Sequence, residues 1–234
     1  MLLCLGCACA LVARLSPEEF STPEGPIRIT PIQHASLLIQ AGGQALYVDP
    51  AQGAYEGLPP ADIILITDIH GDHMAPKVVT QLQKPGTVIF APEAVGKTIT
   101  TARIIRNGET QHVGKWTIEA VPMYNLKRGP QPGKLYHDKG RGNGYVLTYG
   151  GKRFYFSGDT EGIPEMRELQ GIDIAFVCMN LPYTMPPEEA AEAVRAFHPK
   201  IVYPYHYRGA DTKAFAKMLE GTGIEVRLRD WYGS

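Results

Sequence analysis

The chain has 234 residues, of which 44% are hydrophobic and 20% are charged, and its 23 basic and 24 acidic residues leave a formal net charge of -1. High apolar content with almost no net charge excludes an intrinsically disordered chain. The absence of a basic excess argues against a nucleic-acid partner. A chain of this length buries roughly 70% of its unfolded surface, so a core can form without disulfides.

The N-terminal segment Met1–Ala13 is uncharged and apolar, and it carries three of the four cysteines, Cys4, Cys7 and Cys9. It is shorter than the ~20 residues that span a bilayer, so no transmembrane span is expected. It is similar to the apolar region of a signal peptide, although a basic start is missing. We therefore expect an exported chain (periplasmic, secreted or lipid-anchored), with a cytoplasmic one as the alternative. Residues 16–26 are polar and proline-rich, which favours a linker; residues 27–234 are expected to form a single domain.

Short apolar segments at close intervals predict strands, and two pairs of them flank Gly42-Gly43 and Gly150-Gly151, which predicts two hairpins. The predicted strands are Ala35–Gln40, Ala45–Val48, Ile63–Thr67, Thr87–Phe90, Trp116–Val121, Tyr145–Tyr149, Arg153–Phe156, Ile172–Val177, Ile201–Tyr203 and Glu225–Leu228. Helices are predicted at Pro76–Gln83, Pro187–Phe197 and Asp211–Leu219 from their capping residues and first turns. This order predicts one α/β domain with two sheets inside and helices outside.

The two hairpins indicate an internal repeat. Each leads into a strand that ends close to an aspartate, Asp49 after the first hairpin and Asp159 after the second. Two related halves packed face to face would place these aspartates in equivalent positions.

The densest chemical signal is the segment 67–73, Thr-Asp-Ile-His-Gly-Asp-His. Four side chains that can bind metal, Asp68, His70, Asp72 and His73, follow directly after a predicted buried strand. Imidazole suits zinc, and carboxylates add harder oxygen donors. Gly71 is expected to allow an unusual turn that points these side chains into one cavity.

This segment resembles the HxHxDH signature of the metallo-β-lactamase superfamily, with Asp68 in place of the first histidine. Ser157-Gly158-Asp159-Thr160 resembles the strand-end segment whose aspartate bridges two metals, and Pro204-Tyr205-His206-Tyr207 the late strand-end histidine. The start at Gln33-His34-Ala35-Ser36 is similar to the lactonase-like and phospholipase-like members. The resemblance implies a four-layer αβ/βα sandwich with a binuclear metal site at the edges of the sheets.

Carried over by position, the resemblance implies that Asp72, His73 and His206 hold one metal. Asp68 and His70 would hold the other, and Asp159 would bridge the two. The family has one further histidine, for which this sequence offers His137, as a ligand or substrate contact, with Asn125 as its competitor and an open coordination position as the third option. Two divalent ions are expected, zinc first, with manganese or iron as alternatives.

Further residues are expected to act around the metals. By the resemblance, Asp72 would orient the attacking water as well as bind metal. Tyr183 and Asn180 lie on a loop after a predicted strand that could line the cleft, where they could donate hydrogen bonds to an anionic intermediate. His34 would either face the metals or lie behind them. Asp49 would either orient a ligating histidine or simply end a turn.

Metal-assisted hydrolysis of a small ester, lactone or phosphodiester is the expected activity. The alternatives are a β-lactam hydrolase and a metal-binding module without catalysis. Lys127 and Arg128 lie on the long loop that contains His137 and hint at an anionic substrate. The native metal, the substrate and the oligomeric state stay open at this point.

Overall fold

The computed structural model describes residues 16–232. The predicted export signal falls mainly on residues 1–15 and so lies outside the described residues. Within them, no helix is long and apolar enough to cross a bilayer.

The first half of the chain forms a seven-stranded sheet in the order β1 to β7. Its first four strands pair antiparallel and its last four pair parallel. The strands are β1 (Glu18–Phe20), β2 (Ile27–Gln33), β3 (Ser36–Ala41), β4 (Gln44–Val48), β5 (Ala61–Leu65), β6 (Gln83–Ala91) and β7 (Arg103–Ile104). The predicted first hairpin is confirmed as β3–β4.

The second half repeats this pattern in a second seven-stranded sheet, β8 to β14. Again the first four strands pair antiparallel and the last four pair parallel. The strands are β8 (Thr110–Val113), β9 (Trp116–Met123), β10 (Gly142–Tyr149), β11 (Lys152–Phe156), β12 (Ile174–Cys178), β13 (Ile201–Tyr205) and β14 (Glu225–Val226). The second predicted hairpin is confirmed as β10–β11, and the two halves share one strand pattern.

Five helices accompany the sheets in the described part of the chain. They are α1 (Pro76–Leu82), α2 (Glu93–Gly96), α3 (Pro164–Arg167), α4 (Pro187–Phe197) and α5 (Thr212–Met218). The three predicted helices correspond to α1, α4 and α5, and the predicted limits of α4 are those of the structure. Asp211 caps α5 by accepting a hydrogen bond from the Ala214 backbone N–H.

Successive side chains along a strand belong to different hydrophobic clusters, which shows how the layers are stacked. On β4, Leu46 and Val48 join the cluster between the sheets, whereas Tyr47 joins a second cluster with Val79 and Leu82 of α1. Successive strand side chains point to opposite faces, so α1 covers the outer face of the first sheet. On the second sheet, Tyr155 of β11 packs edge-on against Phe197 of α4, with ring centroids 5.7 Å apart. The layers are therefore helix, sheet, sheet, helix, as the family resemblance implied.

One part of the predicted linker is wrong. Glu18–Phe20 of the 16–26 segment forms β1, which pairs antiparallel with β2. Phe20 is buried and meets the ring of Phe154 on the second sheet at a centroid distance of 6.4 Å. This short strand escaped prediction because its only buried apolar side chain lies among polar residues and prolines.

Candidate metal centre

Strand ends bring the predicted ligands to one edge of the sandwich. The segment 68–73 follows β5, Asp159 follows β11, and His206 follows β13 directly. These three strands belong to the parallel part of their sheets, where carboxyl ends meet at a common edge. The shared direction of these strands therefore brings together residues that are more than 130 positions apart in the sequence.

The loop after β5 folds as a tight turn. The backbone N–H groups of His73 and Met74 both donate to the carbonyl of His70, at 3.0 Å each. Gly71 lies outside the left-handed region, and a Cβ there would have open space. Gly71 was expected to allow an unusual turn, but its backbone does not use the left-handed freedom of glycine; the hydrogen bonds to the carbonyl of His70 hold the turn.

A glycine is required instead at Gly158, just before Asp159. Its φ is +59°, and a Cβ there would lie 2.5 Å from Sδ of Met123. Its N–H donates to the hydroxyl of Tyr205 at 3.0 Å, which ties the end of β11 to the end of β13. Both constraints hold Asp159 against the loop at 68–73.

Strained backbone is concentrated at this edge. Among the described non-glycine residues, four have positive φ: His34 (58°), Asp49 (47°), His198 (46°) and His206 (47°). His198 is the left-handed C-cap of α4, and the other three lie at the candidate site. Each such conformation costs of order 1–3 kcal/mol, and strain of this kind is typical of functional sites.

His73 is held from behind by Asp49. Both side chains are fully buried, and Nδ1 of His73 lies 2.8 Å from Oδ2 of Asp49. Asp49 also accepts hydrogen bonds from the N–H and the hydroxyl of Thr67, both at 2.7 Å. A carboxylate can only accept, so Nδ1 of His73 carries the proton and Nε2 presents a lone pair to the site. Burial raises the pKa of Asp49, and the charge and hydrogen bond of His73, which lower it, offset this effect only in part.

Asp159 occupies the centre of the cluster. Its Oδ2 lies 3.1 Å from Nε2 of His137 and 3.2 Å from Nε2 of His73, and its Oδ1 lies 3.2 Å from Nδ1 of His206. Burial disfavours the charged carboxylate, but the surrounding imidazoles outweigh burial and lower the pKa of Asp159 well below its usual range. The charge of this carboxylate is thus surrounded on three sides by potential metal ligands.

A second group lies beside it. Oδ2 of Asp68 is 2.9 Å from Nδ1 of His70 and 3.7 Å from Nε2 of His137. The guanidinium of Arg141 donates to the same Oδ2 at 2.8 Å, a contact that sequence reasoning missed because Arg141 is 73 residues away. Burial opposes ionisation of Asp68, but hydrogen bonding from His70 and the nearby cations lower its pKa.

His137 and Asn125, the two competitors for the missing histidine, are bonded to each other. Oδ1 of Asn125 accepts from the backbone N–H of His137 at 2.8 Å and faces Nδ1 at 2.7 Å. The backbone N–H can only donate, which identifies this atom of Asn125 as the oxygen. Nδ1 of His137 is therefore protonated, and Nε2 is the atom that faces Asp159. Asn125 in turn donates to buried Glu161 at 3.1 Å.

Asp72 lies at the accessible side of the site. Its Oδ2 is 3.2 Å from Nε2 of both His34 and His206, and its Oδ1 is 4.0 Å from Nε2 of His73. Burial opposes ionisation of Asp72, but the hydrogen bonds from His206 and His34 hold its pKa far below the usual range. His34 is buried and its ring lies against that of His206, with centroids 3.8 Å apart and an interplanar angle of 43°, so it is part of the site.

The residues present fit metal ions. Within the described chain, three groups have ligand atoms within 4.8 Å of one another: His34, Asp72 and His206; Asp68, His70 and His137; and His73, Asp159 and His206. Nε2 of His73, Nε2 of His137 and Nδ1 of His206 are buried without a properly oriented hydrogen-bond partner. Buried nitrogens that point at carboxylates without a hydrogen bond to them are the donor set of a metal site.

The grouping differs in part from the one implied by the sequence. His206 is shared between Asp72 and the pair His73–Asp159, and His137 completes the group of Asp68 and His70. Every predicted ligand nevertheless lies within this one cluster.

A cleft of about 700 Å³ opens onto the cluster. One wall is apolar, with Leu181 and Tyr183 about half exposed and the ring of Tyr183 edge-on to Tyr136. Its lining comprises His34, Gln52, His70, Asp72, Tyr136, His137, Asp159, Asn180, Leu181, Pro182, Tyr183 and Arg208. Tyr183 and Asn180, predicted to contact substrate, therefore both line the cleft, whose size is typical of small-molecule sites.

Two cations predicted to attract an anionic substrate are neutralised elsewhere. Lys127 and Arg128 both contact Glu189 of α4 at 2.8 Å, and hydrogen bonds from these two cations lower the pKa of Glu189 to about 2. Neither cation lines the cleft. The hint drawn from these two residues is therefore not supported by their positions.

Comparison with known proteins agrees with this architecture. Residues 28–206 match the family model described as a beta-lactamase superfamily domain. A UPF0173 metal-dependent hydrolase of Thermus thermophilus is 30% identical over 219 residues, covering 85% of this chain and 94% of the relative. One of Methanopyrus kandleri is 26% identical and covers 86% and 95%.

Two solved structures show the same fold. A crystal structure titled as a putative metal-dependent hydrolase from Parabacteroides distasonis is 43% identical, with a TM-score of 0.87 over 92% of this chain and 98% of that one. Igni18, a metallo hydrolase of Ignicoccus hospitalis, has 21% identity and a TM-score of 0.72, covering 89% and 96%. The chain therefore belongs to the metallo-β-lactamase superfamily, among its metal-dependent hydrolases.

Proposed function

We propose that this hydrolase holds two divalent metal ions, with zinc as the first candidate and manganese or iron as alternatives, and that it cleaves a small ester, lactone or phosphodiester. The observation that carries the proposal is the convergence of seven predicted ligands on one cluster, in which all but His70 and Asp72 are buried. They are Asp68, His70, Asp72, His73, His137, Asp159 and His206. Bound ions in such a site act as Lewis acids and bring the pKa of water towards ~7.

The chain prepares this chemistry with its own residues. Asp49 and Asn125 each accept a hydrogen bond from Nδ1–H of a histidine, so His73 and His137 present the lone pairs of Nε2 towards Asp159. Fixing the tautomer in this way also fixes the ring orientation. Asp72, anionic at neutral pH and open to the cleft, is placed to orient an attacking water by accepting a hydrogen bond from it. Tyr183 and Asn180 also line the cleft, where they can contact the substrate.

The cleft supports a small substrate rather than a polymer. Its apolar wall of Leu181, Pro182 and Tyr183 suits an acyl or alkyl group, and the carboxylates and imidazoles at its floor suit the polar bond to be cleaved. Harder oxygen ligands are frequent in the set, which keeps manganese and iron as candidates besides zinc.

The test combines metal analysis with a hydrolysis panel. We expect purified protein to carry about two ions per chain and to hydrolyse at least one of an aryl ester, a lactone or an aryl phosphodiester, with activity lost on chelation and restored by added metal. His73→Ala should lose both metal and hydrolysis. His112→Ala, a histidine on the exposed edge strand β8, is the matched control and should retain both.

Three outcomes would overturn the proposal. Metal-loaded protein that is inert across the panel, including a chromogenic β-lactam, would make the chain a metal-binding module. Turnover of a β-lactam alone would assign the alternative activity. Full turnover by metal-free His73→Ala would exclude metal-assisted hydrolysis.

A further inference from the structure

We propose that Tyr232 and His34 act together as a positioning pair for Asp72. In this pair the hydroxyl of Tyr232 holds His34 in the tautomer that is protonated on Nε2, and that N–H donates to Oδ2 of Asp72. His34 is then a hydrogen-bond donor in the site and not a metal ligand. The consequence for hydrolysis rests on the proposed function, whereas the tautomer does not.

The argument begins at the hydroxyl of Tyr232. It lies 3.1 Å from the backbone N–H of Tyr207, 2.9 Å from that of Arg208, and 2.6 Å from Nδ1 of His34. Backbone N–H groups can only donate, and a hydroxyl has two acceptor positions and one proton. Both acceptor positions are taken, so the proton of Tyr232 points at Nδ1 of His34.

The tautomer of His34 follows from that contact. Nδ1 accepts a hydrogen bond from the hydroxyl of Tyr232, so it carries no proton of its own, and the proton of the neutral ring is on Nε2. Nε2 lies 3.2 Å from Oδ2 of Asp72, a carboxylate oxygen that accepts it.

A protonated Nε2 has no lone pair for a metal ion. Of the group His34, Asp72 and His206, the last two therefore remain as ligands. Asp72 is held by His34 through Oδ2, while its Oδ1 faces Nε2 of His73 at 4.0 Å. Asp72 is then placed to bind the same metal ion as His73 and His206, as the family resemblance implied.

The pair is held rigidly by the C-terminal segment. The N–H of His34 donates to the carbonyl of Trp231 at 3.3 Å, and the carbonyl of His34 accepts from the N–H of His206 at 3.2 Å. Trp231 is 1% exposed and packs against the ring of Tyr205. Tyr232 lies beyond the segment 28–206 that matches the family model, so the family match alone does not point to it.

The first test reads the tautomer directly. Two-bond proton–nitrogen NMR spectra of the metal-free full chain distinguish protonated from unprotonated ring nitrogens, and the His34 signals are assigned from their absence in His34→Asn. We expect a protonated Nε2 and an unprotonated Nδ1, unchanged when zinc is added. A protonated Nδ1, or loss of the Nε2 proton on adding zinc, would overturn the proposal.

The second test uses two tyrosine variants. Tyr232→Phe removes the hydroxyl that faces His34. Tyr207→Phe removes a nearby hydroxyl, on the loop after β13, that contacts the backbone of Arg229 and Trp231 instead. We expect Tyr232→Phe to give a mixture of His34 tautomers and to lower kcat about tenfold, with KM and metal content unchanged. Tyr207→Phe should leave the tautomer and kcat as in the native chain.

A third comparison separates hydrogen bonding from turn geometry. His34→Asn tolerates the left-handed backbone, but its amide is too short to reach Asp72, whereas the amide of His34→Gln can donate at the position of Nε2. His34→Gln should therefore retain more activity than His34→Asn, and both should retain their metal. Equal activities, or metal lost from both, would contradict the positioning role. If no substrate is turned over, the proposed function fails while the NMR spectra still decide the tautomer.

Discussion

Asp49 is expected to affect metal binding indirectly, through its hydrogen bond with His73. It contacts Nδ1 of His73 at 2.8 Å inside a fully buried pocket and does not reach the cleft itself. We expect Asp49→Asn to lower zinc affinity about tenfold to a hundredfold, because a neutral amide holds the histidine less firmly and makes it a weaker ligand. Chelator-competition titration of the folded variant measures this change.

Asp173→Asn provides the matched control for that measurement. Asp173 also accepts a backbone N–H, that of Arg153 at 2.9 Å, and one side-chain donor, Lys200, but lies outside the metal centre. Its replacement should leave zinc affinity unchanged. Equal affinities for Asp49→Asn and the native chain would mean that Asp49 only completes a turn.

Some residues of the site could be assigned from the sequence alone and others could not. His70, Asp72 and His73 could be assigned from a local pattern, since they lie in one short segment after a strand. The choice between His137 and Asn125 could not be made, because the loop 124–141 has no period that says which side chains meet. The structure shows that both are used together, one facing Asp159 and the other bonded behind it.

At the level of elements, the C-terminal ends of the parallel strands carry most of the site. Buried apolar runs followed by polar residues predicted these ends at β5, β11 and β13, so their approximate meeting point was predictable from chain order. Strand β1 was not. Glu18 on β1 makes its ion pairs with Arg227 and Arg229, more than 200 residues along the chain, and no local pattern can reveal such a contact.

This contact gives β1 a pH-dependent contribution to stability. Burial opposes ionisation of Glu18, but hydrogen bonds from Tyr203, Arg227 and Arg229 outweigh it and lower its pKa below the usual 4.5. The stabilisation is therefore complete above pH 4.5 and is lost as the pH falls through the lowered value. We expect Glu18→Gln to lower the free energy of unfolding by about 1 kcal/mol at pH 7.

Urea unfolding at pH 7 and at progressively lower pH measures this effect. The difference between Glu18→Gln and the native chain should shrink below pH 4.5. Glu225→Gln is the control, because the side chain of Glu225 forms an ion pair with Arg227 but is 55% exposed; its replacement should have little effect. A difference that stays constant as the pH falls would rule out ionisation of Glu18 as the cause.

For the whole molecule, the repeated strand pattern places the metal centre between two similar halves. Asp49 and the 68–73 loop come from the first half, and His137, Asp159 and His206 come from the second. The Gly-Gly hairpins made this repeat visible in the sequence. The element order and the repeat predicted two sheets packed face to face, and the family resemblance implied the four layers. The side chains that meet between the sheets could not be predicted, because contacts between sheets leave no periodic signal.

Because the ligands come from both halves of the chain, we expect removal of the metal to lower the stability of the fold. A free ion concentration about a hundred times its dissociation constant stabilises the folded chain by about 2.7 kcal/mol, which corresponds to about 5–10 °C in a domain of this size. We expect chelation to lower Tm by that amount and added zinc to restore it, as measured by calorimetry.

His73→Ala serves as the control for chelation, since it lacks a ligand that faces Asp159 at 3.2 Å. Its Tm should respond little to the chelator. A metal-loaded native chain whose Tm is the same with and without chelator would show that the cluster does not bind ions in its folded state.

The thiol of Cys178 lies at the end of β12, close beneath this centre. It is fully buried, donates to the carbonyl of Thr160 at 3.4 Å, and has its pKa raised to about 11, chiefly by burial. Only a thiolate attacks alkylating and oxidising reagents readily, so this side chain is inert while the sandwich is closed. Its rate of covalent labelling therefore reports how often the inner strands separate next to the metal centre.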